Sequence, residues 1–128
     1  MNAKLEQKKE QEKQITTLNN NIKNNLKWIE INEKTIEKRI AGLVLSREII
    51  RSLDAILNSY QSIMLYGTFR RRKKYKIAYD ILKEQINSFR FDYLYDVDVI
   101  EKLKVDNINL NEKIDMWENE KREIREEE

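Results

Sequence analysis

Apolar residues recur every seven positions along the first half of the chain, at Ile15, Ile22, Ile29, Ile36, Leu43, Ile50, Leu57 and Met64. Eight successive positions of this period predict one long helix that keeps a seam turned towards another helix. The companion seam position is less regular. Leu18, Leu26, Ile40, Leu53 and Tyr60 serve it, whereas Asn25 and Asn32 bring amides to it, a substitution that weakens a seam and fixes its register. A helix from about residue 4 to residue 66 would be about 90 to 95 Å long.

Gly42 falls inside this register without shifting it, so it is either tolerated in the helix or admits close approach of another helix. Gly67 reads differently, because it follows Ile63-Met64-Leu65-Tyr66 and precedes Thr68, so a C-terminal glycine cap and a new N-cap are adjacent. The chain is expected to reverse there. A second helix carries Tyr75, Ala78, Tyr79, Leu82, Ile86 and Phe89 on one face. From Phe89 to Asp92 apolar and polar residues alternate, but a lone strand has no pairing partner. Residues 89–96 are therefore read as an irregular aromatic link or a continuation of the helix. Asp98-Val99-Ile100-Glu101 reads as a capping box opening a third helix, with Leu103, Leu110, Trp117 and Ile124 as its heptad and Ile100 and Ile114 beside it.

The expected architecture is thus all-α, an elongated helical hairpin or coiled coil of two to three long helices in one helical domain, residues 1–128. Its parts are a first helix over 1–66, a middle helix and aromatic link over 68–96, and a last helix over 97–128. In a hairpin Leu103 to Ile124 return along Ile15 to Ile36. A parallel dimer through the first heptad is the competing arrangement.

Composition sharpens this picture. Among 128 residues there is no proline, no cysteine, no histidine and only two glycines, while 38% are charged. The missing residue types remove disulfides, thiolate chemistry and the commonest general base and metal ligand at neutral pH. Carboxylate neighbours such as Asp92 and Asp96, or Asp96 and Asp98, make no active site without a pocket or orienting partners. A binding protein without cofactor or metal is therefore expected, not an enzyme. The charged start, MNAKLEQKKEQEKQ, and the short apolar run of residues 40–45 match neither a signal peptide nor a membrane span, so a cytoplasmic location or signal-peptide-independent export with a partner is expected.

Two surfaces are candidates for binding. Trp28, Ile29, Ile36, Leu43, Ile50, Leu57 and Tyr60 lie on or beside the first seam and suit a helical protein partner or self-association. Trp28 stands just off the seam and is the stronger anchor for an external partner, whereas Trp117 lies on the last seam and reads as core. Arg70, Arg71, Arg72, Lys73, Lys74 and Lys76 place six cations in seven residues at a helix start, interleaved with Phe69, Tyr75 and Tyr79, a pattern suited to phosphates and stacked bases. The bland alternative is a solvated basic face, and a net charge of +2 with no recognisable docking motif favours it.

The hairpin layout with Tyr66-Gly67 at its midpoint, and the string Asn111-Glu112-Lys113-Ile114-Asp115-Met116-Trp117-Glu118-Asn119-Glu120-Lys121-Arg122, resemble the small helical partners of LXG toxins in Gram-positive type VII secretion. The resemblance implies a chaperone or targeting factor that lies along the toxin's helical LXG domain and completes a bundle recognised by the secretion machine. Neither Trp28 nor Trp117 is followed two residues later by glycine, and no Phe or Tyr has an acidic residue four positions on, so no site residue is carried over. The alternative expectation is a phage- or plasmid-encoded helical adaptor or inhibitor that binds nucleic acid or a nucleic-acid enzyme through residues 70–76.

Overall fold

In the computed structural model, which describes residues 2–127, helix α1 spans Asn2–Tyr66 and helix α2 spans Phe69–Glu126. With no proline and Gly42 as the only glycine over the first 66 residues, α1 meets no strong helix breaker. Only Gly67 and Thr68 separate the helices, which pack as an antiparallel hairpin.

The reversal is built from two local contacts. The Gly67 amide donates to the Ile63 carbonyl at 2.8 Å, and a Cβ at Gly67 would collide with that same backbone oxygen. Glycine is required here by close approach and not by a left-handed cap, since neither glycine has a positive φ. Thr68 then caps α2 as its residue type predicts, its hydroxyl accepting from the Arg71 amide at 3.4 Å and its carbonyl from the Arg72 amide at 2.9 Å.

α2 runs without interruption through the segment read as an aromatic link, and Asp98 opens no third helix. The physical reason lies in the spacing. Leu82, Ile86, Phe89, Tyr93, Asp96 and Ile100 advance by threes and fours, so a helix turns them to one side, whereas the alternation of Phe89 and Phe91 lasts only a few residues and pairs with nothing.

The chain forms two compact units, one of Glu37–Glu101 and one of Met1–Ile36 with Lys102–Glu128. In the first, which contains the turn, Leu82 and Ile86 are buried and the Tyr60 and Tyr75 rings meet at 5.8 Å between centroids. Ile100 is buried here too. In the second, Leu18, Ile22 and Ile29 are buried, with Leu103, Leu110, Trp117 and Ile124 half-buried on α2. The expected return of the last heptad along Ile15 to Ile36 is thus observed.

The second seam position of α1 departs from expectation. Leu26 and Ile40 are 53% and 44% exposed, and the positions that turn inward are Asn25, Asn32, Arg39 and Ser46. A strict seven-residue repeat from Leu18 to Leu53 and Tyr60 passes through these polar residues. Leu26 and Ile40 stand one position beyond it, which rotates them onto the flank. Polar partners on α2 compensate the substitution. Asn32 Nδ2 donates to Asn107 Oδ1 at 2.9 Å, Asn25 Nδ2 donates to the Leu110 carbonyl at 3.5 Å, and Arg39 pairs with Asp96.

Candidate functional site

The residues expected to bind a partner divide sharply. Ile29 is buried, and Ile36, Leu43, Ile50, Leu57 and Tyr60 are half-buried on the face of α1 that α2 covers. Trp28 alone of that set is well exposed, at 58%. It lines an open groove of about 540 Å³ with Asn25, Asn32, Asp106, Leu110 and Lys113, whose chemistry is amide, carboxylate, ammonium and apolar surface. The first seam is therefore largely used within the chain, which leaves other faces of the helices more open to a partner.

Such a face exists on α1 in the unit that contains the turn. Leu45, Ile49 and Ile56 are 66%, 44% and 48% exposed, and Ile63 is half-buried. Gly42 precedes them, and Ser52 and Ser59 come between. From residue 42 to residue 63 these positions advance alternately by three and four, so they form one straight stripe beside the seam that faces α2. No charged residue belongs to it. The Ser59 hydroxyl donates to the Ala55 carbonyl of its own helix at 3.3 Å, so it brings no unmet donor to the stripe. Sequence reasoning passed over this stripe, although the signal was present as a second three-and-four count along the same helix.

Gly42 makes the stripe unusual. A Cβ built there meets nothing within 4 Å, so none of the described residues requires a glycine there, although glycine in a helix interior costs about 1 kcal/mol against alanine. Burial is also lopsided. Among the described residues six apolar side chains are buried and 21 large ones are exposed, well beyond the scattered apolar surface of an ordinary monomer.

Arg70, Arg71, Arg72, Lys73, Lys74 and Lys76 are all exposed at the start of α2, which has no acidic residue in its first turn. Arg72 Nε donates to the Gly67 carbonyl at 2.9 Å and Lys74 lies over the Tyr75 ring, so two of the six are tied locally. None of the six is in an ion pair among the described residues.

Among the described residues no group of three or more histidine, cysteine or acidic side chains is arranged to hold a metal ion, and no helix is long and apolar enough to cross a membrane. No protein-family model, curated protein or solved structure matches the chain.

Proposed function

We propose that the protein acts by binding and not by catalysis, as a two-stranded coiled-coil hairpin that contributes its helices to a larger helical assembly. The observation that carries this reading is the uncharged stripe from Gly42 to Ile63, on a hairpin that leaves 21 large apolar side chains exposed among the described residues. Burying such a stripe gains about 25 cal/mol per Å² of apolar surface, and a third helix laid along it is the geometry that buries it with the fewest stranded backbone groups.

The resemblance of residues 111–122 to partners of LXG toxins supplies a candidate member of that assembly, a helical LXG domain, with the hairpin as its targeting factor or chaperone for type VII secretion. Co-expression of the tagged chain with the products of neighbouring genes tests the reading. Recovery of a stoichiometric helical partner is expected, and the double variant Ile49→Glu/Ile56→Glu, which puts two carboxylates on the stripe, should abolish it. Undiminished recovery with that variant rules out the stripe as the docking face.

A second reading rests on the basic run. Six exposed cations at a helix N-terminus face the positive end of the helix dipole, an arrangement that costs a few tenths of a kcal/mol or more unless an anion lies nearby. Nucleic acid is an anion of the right form. Binding to single- or double-stranded DNA or RNA that falls steeply with salt, and that is lost in Arg71→Gln/Arg72→Gln/Lys74→Gln, supports it. No binding near physiological salt at tens of micromolar protein removes it.

A further inference from the structure

The outward stripe of α1 in Glu37–Glu101 is complementary to itself when reversed. About a centre within half a residue of Ser52, an antiparallel copy sets Ile63 of one chain opposite Gly42 of the other. The same reversal sets Leu45 opposite Ser59, and brings Ile49 against Ile56. Large side chains thus meet small ones at both ends of the stripe, the condition under which two helices interdigitate closely.

We propose that this face binds a second copy of the chain about a two-fold axis at Ser52, with the two α1 helices antiparallel. The proposal rests on the reading of the stripe as a helix-docking surface and names its occupant. It also gives Gly42 a reason, since the open space beside it is where Ile63 of the other copy enters.

The area suffices. Residues 42–63 cover about 32 Å of helix, and two helices side by side are about 20 Å wide. Each copy therefore offers roughly 600 Å², and the total exceeds the roughly 1,000 Å² that a specific interface needs.

The test uses the full chain, which has no cysteine of its own. Sedimentation equilibrium from micromolar to hundreds of micromolar should show a dimer. Ser52→Cys should form an intermolecular disulfide in oxidising buffer, well ahead of Asn58→Cys, which lies on the opposite flank with Asp54 and Arg90. Gly42→Leu, which the isolated chain has room for, should keep the helical circular dichroism signal and weaken dimerisation at least tenfold. A monomer throughout the range, or cross-linking of Ser52→Cys no faster than Asn58→Cys, overturns the proposal. If a different helical partner is then recovered and lost again with Ile49→Glu/Ile56→Glu, helix docking stands and the second copy falls. Recovery that ignores those substitutions brings down both.

Discussion

Arg39 donates from Nη1 to Asp96 Oδ1 at 2.6 Å across the hairpin, joining a seam position of α1 to a seam position of α2 where two apolar residues would ordinarily meet. The two side chains are 35% and 31% exposed, and the Arg39 Nε is buried without a partner. An ion pair in this setting stabilises little on balance, but losing one member strands the other.

Arg39→Ala and Asp96→Ala should therefore each destabilise the hairpin by about 1 to 3 kcal/mol, less than a fully buried pair because water still reaches both groups. Arg39→Leu/Asp96→Leu should recover most of that loss. Urea unfolding followed by circular dichroism reads all three variants, and an unchanged midpoint in both single variants contradicts the assignment.

The amide pair is a second device of the same kind. Asn32→Ala leaves the Asn107 amide without its 2.9 Å partner and should cost about 1 kcal/mol. Replacing both by leucine should raise the unfolding midpoint while broadening the amide NMR spectrum of nearby residues, because an apolar layer accepts shifted registers that an amide pair rejects. A sharper spectrum in the double variant would argue that these amides do not set register.

The two glycines should respond with opposite signs. Gly67→Ala forces a Cβ into the Ile63 carbonyl and should destabilise by about 1 to 3 kcal/mol. Gly42→Ala adds a Cβ to open space in a helix interior and should stabilise the monomeric hairpin by up to about 1 kcal/mol. Thermal unfolding at low protein concentration separates the two, and a shared sign refutes the account of the turn.

Burial distinguishes seam from flank. Ile86, 1% exposed, should cost about 2 to 4 kcal/mol as Ile86→Ala, whereas Leu26→Ala, at 53% exposure, should stay within about 1 kcal/mol. Equal costs would mean that Leu26 belongs to the seam after all.

Much of the fold was legible along the chain because a heptad is a local property. The eight-position repeat from Ile15 to Met64, the Gly67-Thr68 reversal and the return of Leu103 to Ile124 all follow from spacing and from residue types that few backbone conformations suit. The continuity of α2 was less plain, since three- and four-residue spacing and two-residue alternation coincide between Phe89 and Asp92, and only the longer run from Leu82 to Ile100 separates them.

What sequence alone determined, then, was that the chain is all helical, that its first helix is long and where the chain turns, all set by interactions within a few residues. Which residues stand in the second seam was decided by the tertiary structure. An arginine belongs in a seam only if a carboxylate waits opposite, and Asp96, 57 positions away, supplies one. Leu26 and Ile40 were excluded for the same reason, since apolar character says that a side chain gains by burial but not which direction the neighbouring helix lies. The outward stripe was decided there too. Whether Leu45, Ile49 and Ile56 are core or surface depends on what covers them, and the hairpin's second helix covers the adjacent face instead.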